Sequence, residues 1–399
     1  MNEFDALIIG GGPAGYTAAL NLAKQNRRAL IIEKDRVGGT CLHRGCIPMK
    51  TFLRESNLES AIARKNSVIE TLYRGLKSQL KSAGVEIFHG EGVIQEARDN
   101  FFRVNDFTAP NLIIATGSRD RKIDLDGAIY SSEFFEVDHW SKNVTVIGGG
   151  VMGIEFATFL NRIGCSVTIL EMADRILGRS LDNDVRSIVL KNLEESRIEI
   201  VTSARAMEFE DSTLIFERGG SIDEIACDQI VCSIGREPMK IDIDSNLSGL
   251  YFAGDVRDEI MLAHSAFHDA EIVADKICEV KNSTEDFAIP SVIFSNPEVA
   301  SVGLTESECR QRNLNFRISK LPMSFSSRFV IDNSHSGNLI KLIIDSNGFI
   351  LGGQIIGNGS SELIFTIADF INSRQNVSEI QRKIFPHPSL VEILKFAVE

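Results

Sequence analysis

A short apolar segment, a glycine-rich turn, a helical pattern and a second apolar segment follow one another at the start of the chain. Apolar residues 6–9 run into Gly10-Gly11-Gly12-Pro13-Ala14-Gly15, a helical pattern covers 16–25, and residues 29–32 form the next apolar segment. Short apolar segments on either side of a glycine turn and a helix are typical of parallel strands joined by a crossover helix.

The same order of elements recurs in the middle of the chain. Residues 144–147 form an apolar strand pattern, and the turn Gly148-Gly149-Gly150-Val151-Met152-Gly153 follows it. A helical pattern then runs to about Arg162, and residues 166–170 form the second strand pattern. The chain therefore contains one structural unit written twice.

Each copy ends its second strand at a glutamate, Glu33 or Glu171, which lies 23 residues beyond the first glycine of its turn. A further apolar segment that reaches a glycine closes each copy, at 112–117 and at 229–235. This arrangement predicts two Rossmann-like α/β folds, and we expect one dinucleotide in each.

The glycines and the glutamate have separate tasks in such a site. The first glycine permits the tight turn, the second lets the backbone approach a pyrophosphate, and the third lets helix and strand pack closely. The helix N-terminus faces the phosphates, and the glutamate accepts hydrogen bonds from a ribose diol. These residues are Gly10, Gly12, Gly15 and Glu33 in the first copy and Gly148, Gly150, Gly153 and Glu171 in the second.

Glu171 also bears on the choice of nicotinamide. An acidic residue at this position suits the free 2′-hydroxyl of NAD and repels the 2′-phosphate of NADP, so we predict NAD. The alternative interpretation is a solvated charge at a strand end, because a single carboxylate decides the matter.

The pattern changes beyond residue 288, where strands and helices no longer alternate around glycine turns. This region predicts a third domain of the α+β class. Its strand patterns lie at 290–294, 339–344 and 349–356, and its helical patterns at 306–313, 361–372 and 390–398.

Composition and charge narrow the classes of partner. The chain is 43% hydrophobic and 24% charged, as in ordinary globular proteins. Its net charge of −13 repels phosphate backbones, so no nucleic acid is expected. The N-terminus has no signal-peptide pattern and no apolar run approaches the ~20 residues of a membrane span, so we expect a cytoplasmic protein that does not enter a membrane.

Two of the seven cysteines, Cys41 and Cys46, lie in a glycine-flanked segment between Glu33 and the next helix. A separation of five residues lets a helical turn bring their sulfurs together. At a helix start, the backbone dipole and a cation such as Lys50 lower a thiol pKa and favour the reactive thiolate. His43 alone does not complete a metal site, and no metal is predicted.

The segment Gly38–Lys50, with its Gly-Gly-Thr-Cys-x4-Cys-Ile-Pro-x-Lys pattern, resembles the redox motif of the pyridine nucleotide-disulfide oxidoreductases. The resemblance extends along essentially the whole chain and implies FAD in the first nucleotide-binding fold and NAD in the second. Further matching positions implied to touch the cofactors are Thr116, Gly117, Gly235, Asp255, Leu262 and Ala263, with Asp255 at the ribityl-phosphate part of FAD.

Within the family, these motifs and the C-terminal segment 387–392 most resemble the dihydrolipoamide dehydrogenases. That resemblance implies that Cys41 exchanges with substrate sulfur while Cys46 contacts the flavin. It further implies that His387, oriented by Glu392, is the acid/base, and that Lys50 pairs with Glu155 beside the flavin. An imidazole with a pKa near 6.5 fits this task, because it can take a thiol proton at neutral pH.

The expected architecture is an FAD domain at 1–118 and 246–288, an NAD domain at 119–245 and a dimerisation domain at 289–399. The resemblance implies a homodimer in which His387 serves the disulfide of the other subunit. Some segments are shorter than the family pattern: Gly254 lies only 16 positions beyond Pro238. We expect these shorter segments to alter the nucleotide-domain edge and the dimer packing.

The predicted activity is oxidation of a protein-bound dihydrolipoyl group, with NAD⁺ as final acceptor. The partner would be the lipoyl-bearing protein of a 2-oxoacid dehydrogenase complex or of the glycine cleavage system. One alternative is a flavin-dependent reductase of glutathione-like disulfides, and another is a non-catalytic flavoprotein scaffold. The retention of both cysteines, His387 and Glu392 favours an enzyme.

Overall fold

A computed structural model describes residues 2–178, 180–258, 260–280, 287–332 and 338–399. Its strands are β1 (Asn2–Glu3), β2 (Ala6–Ile9), β3 (Ala29–Glu33), β4 (Glu86–His89), β5 (Ile94–Arg98), β6 (Phe101–Val104), β7 (Phe107–Ala109), β8 (Asn111–Ile114), β9 (Ser118–Asp120), β10 (Ala128–Tyr130), β11 (Asn143–Ile147), β12 (Ser166–Leu170), β13 (Glu199–Val201), β14 (Ala204–Glu210), β15 (Thr213–Arg218), β16 (Ser221–Ala226), β17 (Gln229–Cys232), β18 (Arg236–Pro238), β19 (Leu250–Phe252), β20 (Ser291–Ile293), β21 (Val299–Gly303), β22 (Phe316–Pro322), β23 (Leu339–Asp345) and β24 (Ile350–Ile356).

The α-helices are α1 (Pro13–Lys24), α2 (Gly39–Arg44), α3 (Cys46–Phe52), α4 (Leu58–Ser82), α5 (Val151–Arg162), α6 (Asn183–Glu195), α7 (Ala263–Ile277), α8 (Glu306–Gln311), α9 (Ser327–Asp332), α10 (Ser360–Asn372), α11 (Val377–Ile380) and α12 (Ile393–Ala397). Short 3₁₀ helices lie at Phe134–Glu136, Asp255–Arg257 and Met323–Phe325.

The chain forms two compact units. The first comprises residues 1–124, 130–139 and 234–285, and the second comprises 125–129, 140–233 and 286–399. The second unit holds both the second nucleotide-binding fold and the C-terminal sheet. The division into three domains stays a prediction, and its boundary at 288 adjoins residues 281–286, which lie outside the described part of the chain.

The first unit is built on a five-stranded parallel sheet in the order β19-β8-β2-β3-β4. All four residues of β2 are buried, because helices cover a parallel sheet on its faces and make its central strands apolar throughout. Helix α1 packs against α7 through small residues, among them Ala14, Ala18 and Ala270. This packing fixes the N-terminus of α1 at the carboxyl end of β2, where dinucleotides bind in such sheets.

The second unit repeats four strands of this sheet: the order β17-β11-β12-β13 corresponds to β8-β2-β3-β4, and β10 forms the remaining edge. Strand β11 pairs in parallel with β12 and with β17, as β2 does with β3 and β8. Each copy also carries an antiparallel three-stranded meander, β5-β6-β7 in the first and β14-β15-β16 in the second. The structure therefore agrees with the predicted duplication.

The C-terminal region forms an antiparallel sheet in the order β20-β21-β24-β23-β22. Apolar residues of this sheet and of α10 and α12 form one core, which includes Ile340, Ile355 and Ile367. The predicted α+β class agrees with this arrangement. Helix α12 begins at Ile393, three residues later than its apolar pattern suggests, because Glu392 and the residues before it form a turn.

A buried charge cluster within the second unit joins α6 and α8 to the C-terminal sheet. The Lys341 ammonium is fully buried and lies 2.8 Å from Asp182, 2.9 Å from Asp184, and against Glu306. Burial alone lowers the pKa of Lys341, but the hydrogen bonds to these carboxylates outweigh it and raise that pKa. The three carboxylates are close enough to one another to hold a metal ion, and the ammonium lies among them instead.

Replacing Lys341 by methionine is expected to lower the free energy of unfolding by about 3–5 kcal/mol, because it leaves buried carboxylates without their counter-charge. Urea denaturation measures the loss. It should shrink at acid pH, because burial opposes but hydrogen bonds from Lys320 and Lys341 lower the pKa of Asp184, and that contribution is lost once Asp184 is protonated. Lys320→Met is the control, since Lys320 contacts Asp184 but is 45% exposed. We expect less than about 1 kcal/mol there. Equal losses in both variants would contradict the importance of the buried position.

Candidate functional site

The first glycine turn leaves no room for side chains. Gly10 has a φ of +106°, and a Cβ atom on it would lie 2.2 Å from the carbonyl oxygen of Ala115. A Cβ atom on Gly15 would lie 1.9 Å from the carbonyl oxygen of Gly10. Helix α1 begins at Pro13, directly after Gly12. The backbone amides at this helix start are therefore available to a pyrophosphate.

The second turn has the same geometry. Gly148 has a φ of +109°, and a Cβ atom on Gly153 would lie 1.9 Å from the carbonyl oxygen of Gly148. A Cβ atom on Gly150 would meet no heavy atom within 4 Å, so the space in front of α5 is open. This cradle fits a second dinucleotide phosphate group.

Both glutamates that end the second strands are fixed by backbone amides. Gly11 N–H donates to Glu33 Oε2 at 2.6 Å, and Asp35 N–H donates to Oε1 at 2.8 Å. Glu171 accepts from Gly149 at 2.6 Å and from Ala173 at 2.7 Å in the same manner. Each carboxylate thus lies over its own glycine turn, where the ribose of a dinucleotide is expected.

The segment around Asp255, which the family resemblance assigns to FAD, lies beside the first glycine turn. A Cβ atom on Gly254, which has a φ of +77°, would lie 3.1 Å from the Cβ atom of Ala14 in α1. Asp255 follows in a 3₁₀ turn, and Leu262 and Ala263 start α7 against the same helix. Asp255 is therefore close to the pyrophosphate end of the fold.

Thr116 and Gly117 come shortly after strand β8 of the first sheet. The Thr116 hydroxyl donates to the carbonyl oxygen of Met239 at 2.6 Å, and Met239 N–H donates to Gly117 at 2.9 Å. Cβ atoms on Gly117 and on Gly235 would meet no heavy atom within 4 Å. Both glycines border open space that a cofactor can enter.

The two motif cysteines are brought together by a break between two short helices. Cys41 lies in α2 and Cys46 is the first residue of α3, with Gly45 between the helices at φ −148° and ψ −108°. The single helical turn expected from the spacing is therefore replaced by a kink. Both cysteines carry thiols here, and the two side chains are within hydrogen-bonding reach of one another.

The expectation of a lowered thiol pKa is wrong for Cys41 in this dithiol state. The hydrogen bond with Cys46, burial, and the negative charge of Cys46 all raise the pKa of Cys41, while the Lys50 charge acts in the opposite direction. The pair holds one proton tightly because two thiolates side by side repel each other. Burial and the charges of both cysteines also raise the pKa of Tyr16 to about 12.

His43 lies between the two cysteines in sequence, and its contacts are those of a packing residue. Its Nε2 atom lies 2.9 Å from the carbonyl oxygen of Val37, and its ring packs edge-on against Tyr73. Burial lowers the pKa of His43. The neutral ring therefore anchors α2 to the loop after β3.

The predicted acid/base pair is formed within the second unit. The Nδ1 atom of His387 lies 2.8 Å from Oε2 of Glu392, and Ser389 N–H donates to the other carboxylate oxygen at 3.3 Å. A carboxylate only accepts, so Nδ1 carries the hydrogen and Nε2 is left as the basic nitrogen. The Glu392 side chain is 11% exposed and that of His387 is 68% exposed, so a largely buried carboxylate holds an accessible imidazole ring.

Lys50 and Glu155 lie in different units, and their pairing stays a prediction. Lys50 is in the last turn of α3, where its charge acts on Cys41. Glu155 is fully buried in α5 and accepts a hydrogen bond from Phe294 N–H at 3.0 Å. Likewise, the cysteine pair and His387 are in different units.

Sequence reasoning missed several residues next to these sites. Tyr16 directly follows the first glycine turn, and only its place in the motif could have drawn attention to it. Ser118 and Arg236 contact the Asp255 region but are 118 residues apart, so no local pattern connects them.

Comparison with known proteins decides the family. The family model of the pyridine nucleotide-disulphide oxidoreductases matches residues 4–270, and that of their dimerisation domain matches residues 289–398. The chain belongs to this family. The predicted family and α/β fold class are confirmed, and the chain is an FAD- and NAD-linked disulfide oxidoreductase as predicted.

Several relatives of this oxidoreductase match over its full length. Dihydrolipoyl dehydrogenase from Mycoplasma genitalium is 31% identical over 447 positions, which cover 98% of this chain and 97% of that protein. Dihydrolipoyl dehydrogenase from Geobacillus stearothermophilus is 30% identical, with 100% and 96% covered. Because the first alignment spans 447 positions and this chain has 399 residues, the alignment contains internal gaps, as the shortened segments suggest.

Solved structures agree with the fold of the family. The HOCl-induced flavoprotein disulfide reductase RclA from Escherichia coli is 25% identical, with a TM-score of 0.88 and 99% of both chains covered. LpdA from Mycobacterium tuberculosis, at 22% identity and a TM-score of 0.90, shares the fold over 100% of this chain and 99% of that one.

The dimerisation domain of this oxidoreductase supports the predicted homodimer. In the part of the chain that the structure describes, no helix has the length and apolar character needed to span a membrane.

Proposed function

We propose that this oxidoreductase acts as a dihydrolipoyl dehydrogenase, oxidising a protein-bound dihydrolipoyl group with NAD⁺ as the final acceptor. The observation that supports this most strongly is the coexistence of a coupled thiol pair with a carboxylate-held histidine base. Full-length relatives with that name, about 30% identical, point to the same activity.

The proposed reaction starts at His387. With the cysteine pair oxidised, its Nε2 takes a proton from one substrate thiol, and the resulting thiolate attacks Sγ of Cys41. The Cys41–Cys46 bond breaks and Cys46 leaves as a thiolate. The second substrate thiol then attacks the substrate sulfur of the mixed disulfide, the bond from that sulfur to Cys41 breaks, and the proton passes to Cys41 as it leaves. Lipoamide is released, and two electrons remain on the cysteine pair. FAD, when bound, supplies the hydride chemistry that passes these electrons to NAD⁺.

Charge beside the cysteine pair affects its protonation during the exchange, and other residues of the site would hold the cofactors. The Lys50 charge favours a thiolate at the pair, and the mutual coupling of the two sulfurs keeps one proton on the pair. The glycine turns, Glu33 and Asp255 would hold FAD, and the second turn with Glu171 would hold NAD. We assign Lys50 and Glu155 to the flavin side of the site, as the family resemblance implies.

The partner we propose is the lipoyl-bearing protein of a 2-oxoacid dehydrogenase complex or of the glycine cleavage system. His387 would serve the cysteine pair of the other subunit in a homodimer. A cytoplasmic location fits both partners and stays a prediction.

The second candidate is a disulfide reductase that runs in the opposite direction, which the likeness to RclA favours. Anaerobic titration of the purified enzyme with dihydrolipoamide and with NADH, followed by flavin absorbance, separates the two. A dihydrolipoyl dehydrogenase is reduced by dihydrolipoamide and turns over with NAD⁺. Reduction by NADH alone, with no response to dihydrolipoamide, would favour the second candidate.

Replacing Glu171 by arginine is expected to reduce the ratio of kcat/KM for NAD⁺ to that for NADP⁺ by about ten- to a hundredfold, since a pairing charge replaces a repelling one. Steady-state rates with both nucleotides measure the ratio. Glu171→Gln is the matched control, because it removes the negative charge without adding a positive one. A wild-type enzyme that uses NADP⁺ as well as NAD⁺ would overturn the assignment.

A further inference from the structure

Two strands of the first unit form a small ribbon next to Asp255, the residue that is predicted to contact FAD. Strand β9 pairs antiparallel with β18, and Arg236 on β18 lies opposite Asp120 on β9. The Arg236 guanidinium donates from Nε to the Ser118 hydroxyl at 2.7 Å, from Nη2 to the Ser118 carbonyl at 2.6 Å and from Nη1 to Asp120 at 2.7 Å. One side chain thus binds three groups on the opposite strand.

This arrangement sets the direction of the Ser118 hydroxyl. A guanidinium has donors only, so the Ser118 oxygen must accept from Arg236. Its own hydrogen is then available to Oδ2 of Asp255, which lies 2.5 Å away. Ser118 is 6% exposed, so water does not compete well for either bond. The three residues form a directed chain of hydrogen bonds from Arg236 through Ser118 to Asp255.

Asp120 holds the far side of Arg236. It accepts from the Ser131 hydroxyl at 2.5 Å and from Ser132 N–H at 3.0 Å. Burial opposes ionisation of Asp120, but these bonds and the Arg236 charge outweigh it and lower its pKa. The guanidinium therefore has an ionised partner at neutral pH and keeps one orientation.

The backbone at Asp255 is fixed independently of the hydrogen bonds from Arg236 and Ser118. Gly254 N–H donates to Asp269 at 2.9 Å, and Arg257 pairs with Asp269 at 2.6 Å. The 3₁₀ turn is thus held by contacts that do not involve Ser118. The contact from Ser118 acts on the side chain of Asp255 instead.

We propose that Ser118 and Arg236 are positioning residues for FAD: they hold Oδ2 of Asp255 so that its second oxygen, Oδ1, accepts from a ribityl hydroxyl. This rests on the assignment of Asp255 to FAD under the proposed function. An aspartate that is already oriented loses less conformational freedom when the cofactor binds, so the cofactor stays longer.

The test measures how fast bound FAD exchanges with excess radiolabelled FAD in the purified holoenzyme. Ser118→Ala should speed exchange roughly tenfold, the lower range for one hydrogen bond to a charged group. Arg236→Gln should have a similar effect. The double variant should be no more than about twofold faster than either single variant, because Arg236 acts through Ser118.

Arg119→Gln is the matched control, since Arg119 lies on the same ribbon but is 70% exposed and pairs with Glu237 at its surface. Its exchange rate should equal that of the wild type. Ser118→Thr, which keeps the hydroxyl, should also stay close to wild type and guards against misfolding of the alanine variant. Asp255→Asn should speed exchange at least as much as Ser118→Ala.

Unchanged exchange in Ser118→Ala, or multiplied effects in the double variant, would overturn the proposal. If Asp255→Asn leaves exchange unchanged, the assignment of Asp255 fails and the proposal fails with it. None of these rates involves lipoamide or NAD⁺, so failure here is distinguishable from failure of the dihydrolipoyl dehydrogenase assignment.

Discussion

Replacing His387 by glutamine is expected to lower lipoamide turnover by the ~10²–10⁴ that general base catalysis contributes. Glutamine keeps the approximate size of the ring but cannot take the thiol proton. Reduction of artificial dyes by NADH should persist, because that route does not pass through this residue. Steady-state rates in the lipoamide assay and in the dye assay measure this difference. Equal losses in the two assays would point to a damaged fold.

A substitution of Glu392, which holds the His387 ring, is expected to have a smaller effect and serves as a comparison for this prediction. Its carboxylate accepts from His387 Nδ1–H at 2.8 Å. Glu392→Gln retains an oxygen that can accept this bond but loses the charge that stabilises the imidazolium. Its lipoamide turnover should therefore fall less than that of His387→Gln. A larger loss in Glu392→Gln would mean that Glu392 itself, and not His387, handles the proton.

Mixed dimers test whether His387 serves the other subunit. A heterodimer of His387→Gln with Cys41→Ser has one site with both lesions and one intact site if the histidine acts in trans. Such a heterodimer should recover about half of the wild-type activity, a count of intact sites in a closed two-fold dimer. If the histidine acts in cis, both sites are damaged and the mixture stays inactive.

The nucleotide-binding turns were predictable because their requirements are local. A Cβ atom on Gly15 or Gly153 would meet the carbonyl oxygen of the first glycine at 1.9 Å, so only glycine fits and the spacing appears in the sequence. The glutamates bind amides of the same short unit, Glu33 to Gly11 and Glu171 to Gly149. Local backbone geometry leaves a readable pattern of this kind.

Contacts between distant segments left no such pattern. Arg236 reaches Ser118 across 118 positions of sequence, and Lys341 reaches Asp182 across more than 150. Each partner taken alone is an ordinary polar residue of a strand or a helix cap. Only the topology of the sheets places them together, so propensity and periodicity could not identify them.

The shortened segment after Pro238 shows what the fold tolerates. The chain passes from β18 to β19 with neither helix nor strand between them. Strand β19 nevertheless pairs in register with β8, and Leu250 lies opposite Leu112. The closure entropy of a loop changes only slowly with its length, so the sheet that leads to Asp255 is retained despite the shorter loop.

Cys41→Ser and Cys46→Ser should each abolish lipoamide turnover, because thiol-disulfide exchange needs both sulfurs. They should also differ in spectrum, compared with the band that the wild type develops when two electrons reduce its disulfide. Cys46 is the sulfur assigned to the flavin, so Cys46→Ser should lose the long-wavelength band of thiolate-to-flavin charge transfer. Cys41→Ser has no disulfide to reduce, so it should show that band while its flavin is still oxidised, before any reductant is added, since its remaining thiol no longer shares a proton with a neighbour.

The structure explains why Cys41→Ser and Cys46→Ser should differ in their absorbance spectra. The hydrogen bond with Cys46 is the largest cause of the raised pKa of Cys41, so the pair releases its first proton far more readily than its second. Anaerobic absorbance titration with dithionite measures the band, and Cys278→Ser, a half-buried cysteine outside the motif, is the control that should keep both band and turnover. If Cys41→Ser and Cys46→Ser give the same spectrum, the division of roles between the two sulfurs is wrong, although the pair itself would remain the exchange site.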